Sequence, residues 1–572
     1  MKTKYKYFLL VIITIVASIL IYNFIEENTS VKTKKDVLIL QKEIEKTITE
    51  DMDYTIDDPK VILNPYKVSP LTALVVFKTN DLASAVVTIK GKDNDEDITN
   101  TFIPSKEHLI TIYGLYPDYE NTVIINVSGE EKILKIQTDK LPENINDAKV
   151  INEEEDFYFT TSINGYPIAY DKNGNVRWYL TKKYSWDFTR LSNGYLLLGN
   201  SDLMKEPYYS SSLVEMDLLG KIYYEYYLEG GYHHDVYEKT DGNLIAISND
   251  FNSLTTEDLI VELDRNTGNV IKKFDLSKLF KNKKGNWISL NSIAYNQDTN
   301  SILAVGSKKD MIVNIDYTTG EINWLIADKD NIDKKYQKYL LSGDGEIEFP
   351  INPNALTLIS GNKFAYVNSK DNENHLITYD VNTTERTFIE KENINLGKKR
   401  STINLDYNNG EYIVTQGNLI KKVQDDEAIT VLELNSDIYS AKASKIYAGD
   451  MLIPGQGQRL GTTGITSTVK DKMIIFYKKD TKIFKKYNLS ITSDATKLKI
   501  KGTFNKNDKV QIVLDNVLSK KTYDVDLKNG VKENNKVKTV TYINKQGIYG
   551  KYYIFIKING KTYKLSKYAI MS

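Results

Sequence analysis

The sequence predicts an all-β chain: a six-bladed β-propeller, preceded by a small β-sandwich and followed by a further β-domain. Three observations lead there. A Gly-Asn or Asn-Gly turn, an apolar strand, a second strand and an Asp-containing turn recur six times between about residues 150 and 470. Short alternating strands flank that region on both sides. Tyrosine is abundant, with 41 residues, and proline scarce, with 11, which suits a strand-rich protein.

Residues 1–28 place Lys2, Lys4 and Lys6 before an apolar run over residues 8–25. A basic flank ahead of an apolar core orients the segment N-in and C-out. The run ends in Ile21, Tyr22, Asn23 and Phe24, without the small-x-small site of a cleaved signal peptide. An uncleaved, single-pass membrane anchor is expected, with the bulk of the chain extracytoplasmic at the cell membrane. In residues 29–54, Val37, Leu40, Ile44 and Ile48 recur at near-helical spacing, predicting an amphipathic stalk that packs back onto the body.

Residues 55–148 carry ALVVFKT, SAVVTIKG, HLITIYG, NTVIINV and KILKIQT, the spacing of a small β-sandwich. In residues 149–470 the turn acids Asp171, Asp217, Asp264, Asp316, Asp380 and Asp425 mark six copies at a period of roughly 45–65 residues, the range of propeller blades. Turns such as Asp264 to Gly268 read as blade hairpins rather than calcium loops, because the dense oxygen-ligand spacing is missing. Residues 471–572 repeat the strand pattern in KLKIKGTF, KVQIVLDN and KYYIFIKING, without a histidine.

Composition excludes several functions. With 75 basic against 76 acidic residues and no basic patch, a nucleic-acid partner is not expected. The absence of cysteine removes disulfide frameworks and every thiolate site. Four dispersed histidines supply no metal-ligand cluster, and no glycine-rich phosphate loop follows a strand, so no cofactor is expected. Nothing fixes an oligomeric state.

GYHHDV, at residues 231–236, holds two of the four histidines. Imidazole is the side chain best suited to act as nucleophile or base near neutral pH. Such a pair at a strand edge is more often a packed or solvated structural feature.

NPYKVSPLTALVVFKTND, GLYPDYENTV, GYHHDVYEKTDGNLIAISND and TTEDLIVELDRNTGNVIKKFDL, within about residues 55–450, resemble bacterial arylsulfate sulfotransferases. The resemblance implies a β-sandwich on a six-bladed propeller. It also implies sulfuryl transfer from a phenolic sulfate ester to a phenol, through a sulfated histidine and without an adenosine-phosphosulfate donor. A small phenolic or aryl sulfate ligand follows from it. His233 and His234 match the family's His-His-Asp element. NWISLN keeps Trp287 and Asn291 but has Ser289 where a histidine is expected. SKK puts Lys308 at an arginine position, a point charge without the bidentate fork. PNALTL puts Asn354 at the nucleophile position, and an amide nitrogen, its lone pair delocalised, is a very poor nucleophile. The expectation is a family member impaired in the histidine-nucleophile mechanism. The alternatives are a non-catalytic propeller that binds aryl sulfate or another anion, or a cell-surface interaction protein. His375 reads as a surface histidine and His108 as structural.

Overall fold

Strands with one apolar face must bury it against a second layer, and this chain does so three times in succession. The computed structural model describes residues 36–571, apart from 51–52, 94–95, 153–156, 202–208, 251–252, 254, 282–283, 401, 409, 462–474, 477–480, 494–496, 516–519, 545–549 and 566–567. The expected anchor, 1–28, lies outside the described residues. Among those described, no helix is long and apolar enough to cross a membrane. The expected stalk contains a helix, Val37–Thr49, capped by Asp36, whose carboxylate accepts the Leu38 N–H at 2.9 Å.

In the N-terminal sandwich, Lys60–Leu63, Thr72–Ala83 and Ser105–Tyr113 form one sheet. Ile98–Thr101, Ala85–Ile89, Glu120–Val127 and Glu130–Gln137 form the other. Period-two burial is clearest in Glu120–Val127, where Asn121, Val123, Ile125 and Val127 point inward. His108 belongs to this core: it stacks on Phe77 at 4.5 Å, meets the Thr79 hydroxyl at 3.1 Å, and is held below its usual pKa by burial.

Six antiparallel sheets follow, each built on four strands. Their innermost strands are Ile438–Ser444, Tyr184–Arg190, Val236–Glu238, Leu290–Asn296, Asn354–Ser360 and Ile403–Asn408, for blades 1 to 6 in that order. Each touches the next, and the last touches the first, so the six make a closed β-propeller-like ring. The chain closes it by returning Ile438–Ser444 to pair antiparallel with Phe157–Ser162. Apolar side chains fill the seams between blades, as where Ile247 and Ile260 of blade 3 pack with Ile302 and Val313 of blade 4.

Five of the six turn acids sit at hairpins between the third and fourth strands of their blades. Asp171 accepts the N–H groups of Asn173 at 3.0 Å and Asn175 at 2.9 Å; Asp316 accepts Thr319 N–H at 2.7 Å. Asp380 departs from the pattern: it lies within the strand Glu373–Asn382, and Asn382 serves the turn by accepting the N–H groups of Thr384 and Glu385. Strands in that blade run longer, so the hairpin falls two residues later. After the ring, two further sheets enclose a separate apolar core containing Leu498, Ile512, Leu514 and Ile556.

Sandwich and ring are joined through Arg177. Its guanidinium pairs with Asp171 at 2.9 Å, donates twice to the Gly114 carbonyl, and stacks 3.6 Å from the Tyr116 ring centroid. Both charged side chains are almost wholly buried. Removing one partner of such a pair strands the other charge in a low-dielectric interior. Arg177→Ala should therefore cost about 3–5 kcal/mol, read as a lower unfolding midpoint; an unchanged midpoint would show the clamp to be dispensable.

Candidate functional site

The innermost strands of a closed ring begin at the same mouth of its axial channel, so residues far apart in sequence face one another there. That mouth opens into a cavity of about 690 Å³ lined by Trp186, His234, Asn291, Asn354, Arg400 and Tyr439, among others. Around the ring, three neighbouring blades supply an aromatic wall. Trp186 lies 4.6 Å from His234 and 5.7 Å from Tyr439, centroid to centroid. The opposite three blades supply amides and cations: Asn291, Asn354, Lys399 and Arg400.

The histidine pair is asymmetric. His233 is buried, stacked on Tyr209 at 4.6 Å, with Nε2 3.4 Å from the Ser248 carbonyl. A carbonyl only accepts, so Nε2 of His233 carries the proton and its Nδ1 is bare. The 2.8 Å contact between the two Nδ1 atoms then requires a proton on Nδ1 of His234. Burial, reinforced by the neighbouring imidazole, holds His233 well below the usual histidine pKa. Burial also lowers His234, against an opposing pull from the Glu257 carboxylate. A neutral His234 protonated at Nδ1 leaves Nε2 with a free lone pair on a residue that lines the cavity. This is the state that a nucleophile or general base needs.

His234 and Trp186 both adopt left-handed backbone, with φ of 62° and 66°. Such conformations are uncommon for residues with a Cβ, and persist where the surroundings over-determine them. The Asp235 carboxylate is one restraint: it accepts the Ile293 N–H at 2.8 Å and the Ser292 hydroxyl at 3.0 Å, tying blade 3 to blade 4. Burial and the nearby Asp187 raise its pKa to about 6. Farther along the channel, Lys442 bonds Asp406 at 3.2 Å and Asn404 reaches Asp187 at 3.3 Å. Burial pulls the Lys442 pKa down, but Asp406, Asp187 and Asp235 together overcome it and raise it.

Asn354 lines the cavity with its amide engaged on both sides. Oδ1 accepts from Asn291 Nδ2 at 2.6 Å, and Nδ2 donates to the Asn352 carbonyl at 2.8 Å. Asn291 Oδ1 and Trp186 Nε1 have no partner among the described residues. Ser289, Trp287 and Lys308 do not line the cavity. The Ser289 hydroxyl donates to Glu257 at 2.8 Å, and the Trp287 indole to Asp258 at 2.7 Å. Lys308 is exposed on a short 3₁₀ turn, with Nζ 3.4 Å from the Asn286 carbonyl. His375 bonds Asn393 at 2.9 Å and lies outside the cavity lining.

Sequence reading does not single out Trp186, Tyr439, Lys399 or Arg400. Their signal lies in register. Within two residues of the start of five inner strands stands a mouth residue followed by a small or acidic one: WD at 186–187, HD at 234–235, NS at 291–292, NA at 354–355 and YS at 439–440. Aligning blades on that pair, rather than on their hairpin acids, marks Trp186 and Tyr439. The basic run KKR at 398–400 then falls just before the sixth inner strand.

Residues 143–402 match the family model described as Arylsulfotransferase (ASST), and residues 60–141 match the Arylsulfotransferase Ig-like domain. No curated protein matches. Among solved structures, a putative 6-phosphogluconolactonase from Bacteroides fragilis NCTC 9343 is 13% identical, with 64% of this chain and 99% of that chain covered and a TM-score of 0.32. The periplasmic gluconolactonase PpgL of Pseudomonas aeruginosa is 10% identical, with 64% and 100% covered and a TM-score of 0.30. Kluyveromyces lactis Hsv2 is 12% identical, with 48% and 95% covered and a TM-score of 0.24.

The tautomer chain is directly observable. In a ¹⁵N-resolved histidine titration, His233 and His234 should both stay neutral down to pH values below 6.5, with His234 protonated at Nδ1. A midpoint for His234 at or above 6.5, or an Nε2–H tautomer there, would contradict the assignment.

Proposed function

The chain belongs to the arylsulfotransferase (ASST) family, and from that premise we propose that its axial channel takes an aryl sulfate and transfers the sulfuryl group directly to a phenol, with His234 as base. The observation that carries this reading is the bare Nε2 of His234 on the cavity wall, beside an aromatic surface. Trp186 and Tyr439 offer faces on which phenyl rings stack. Asn354 forms no sulfated intermediate, since its amide has no available lone pair on nitrogen and is hydrogen-bonded at both ends.

In the direct route the acceptor's phenolic O–H gives its proton to His234 Nε2 while its oxygen bonds to sulfur. The bond from sulfur to the donor's aryl oxygen breaks, its electron pair leaves on the phenolate, and the imidazolium returns the proton to it. A second reading has its own support: with position 354 locked in an amide network and Ser289 bonded to Glu257, the channel binds an aryl sulfate without turnover. The basic flank and apolar run of residues 1–25 support placing this channel outside the membrane, on a single-pass anchor.

The test is release of 4-nitrophenol from 4-nitrophenyl sulfate by the full-length protein, with and without phenol. Acceptor-dependent turnover without a burst in its absence is expected, because no covalent intermediate accumulates. His234→Ala should lower the rate by ~10²–10⁴-fold. An undiminished rate in that variant would eliminate His234 as base. A silent native protein with an active Asn354→His variant would favour the binding-only reading.

The pH profile follows from the depressed His234 pKa. The base is competent when neutral, so the rate should hold as pH falls to 6.5 and drop only below it, as the folded-state pKa is crossed. An acidic limb centred above 6.5 would be inconsistent with a buried base.

A further inference from the structure

The channel wall opposite His234 carries donors that neither the fold nor the transfer chemistry uses. Asn374, at the start of the Glu373–Asn382 strand, is 1% exposed and lines the cavity. Its Oδ1 accepts the Ser369 hydroxyl at 2.7 Å, which fixes the amide, while Nδ2 has no partner among the described residues. The Thr402 hydroxyl, also on the cavity wall, likewise has none. An unpaired buried polar atom costs roughly 1–3 kcal/mol, so two together on one cavity wall call for an occupant.

Lys399 and Arg400 line the same cavity. Among the described residues neither has a carboxylate partner. Arg400 spends Nη1 on Asn418 Oδ1 at 2.5 Å and retains its remaining N–H groups. Asp406, another acid of the channel, is paired with Lys442 instead. Two solvent-exposed cations and two unpaired donors line one cavity on the side of blades 5 and 6, a set that matches the multiple acceptor oxygens of a tetrahedral oxyanion.

We infer that Asn374, Thr402, Lys399 and Arg400 form an anion cradle that holds the sulfate group of the ligand. This deepens, and for the ester rests on, the aryl sulfate reading of the channel. The cradle assigns the cationic role to Arg400, whose planar fork binds an oxyanion in a bidentate way that an ammonium does not. It also orients the ester: the sulfate lies against blades 5 and 6 while the ring reaches the Trp186 and Tyr439 wall across the mouth.

Calorimetric titration of the full-length protein with 4-nitrophenyl sulfate, inorganic sulfate and inorganic phosphate tests this. Arg400→Gln should weaken the binding of each anion that the native protein takes by about tenfold or more, as expected for a lost charge-assisted bond. Thr402→Val, which keeps side-chain shape and removes the unpaired hydroxyl, should weaken binding without lowering the unfolding midpoint. Lys536→Gln, in the C-terminal domain, controls for general loss of charge. If 4-nitrophenyl sulfate binds the native protein and both cradle variants equally, the cradle is overturned while the aryl sulfate reading stands. If only inorganic sulfate or phosphate binds, and does so through Arg400, the cradle stands as a free-oxyanion site and the aryl sulfate reading falls. Absence of binding by all three anions overturns both.

Discussion

Closure of the ring is the constraint on which the site depends. Ile438–Ser444 pairs with Phe157–Ser162, so the first blade is completed only after the chain has made the other five. Until that contact forms, the aromatic and cationic walls have no fixed separation, because Tyr439 belongs to the returning strand and stands beside Trp186. Contacts between neighbouring blades then keep the mouth in shape. Ser292 accepts the Leu356 N–H at 2.9 Å while donating to Asp235, linking blades 3, 4 and 5 through two side chains. Pairing so remote in sequence carries a loop-closure cost that local strands do not. Apolar packing in the seams offsets it.

Within that frame the electrostatics divide by depth. Carboxylates and Lys442 neutralise one another along the channel beyond the mouth. At the mouth itself, burial keeps two imidazoles neutral. The Ser248 carbonyl, although it never touches the cavity, determines through His233 which nitrogen of His234 is bare. A substitution that turned that carbonyl away would change the chemistry of the site without altering any residue lining it. Positive φ at His234 and Trp186 belongs to the same arrangement, since both residues hold their rings over the opening at the expense of backbone comfort.

The fold was largely legible, because strand alternation and hairpin turns are local signals. The sandwich strands and the repeating blades follow from them, and even Asp380 fails only by a hairpin two residues late. GYHHDV was legible because histidine is so rare. What local pattern does not carry is direction. His233 and His234 are adjacent, yet one enters the core and the other lines the channel. Trp287, Ser289 and Lys308 stand near the expected spacing but turn to Asp258, Glu257 and solvent. In a strand each step of one residue reverses the face, so aligning motifs places a residue without aiming it. Arg400, in an ordinary-looking basic run, acquires meaning only when the ring brings it across from His234.

A structure of the protein with 4-nitrophenyl sulfate bound would test the central claim most directly. The ester should lie in the axial channel, with its ring on the Trp186 and Tyr439 surface, its sulfate toward Arg400, and His234 Nε2 facing the sulfuryl group. Ligand bound beside Ser289 and Lys308 instead, or anywhere outside the channel, would contradict that claim.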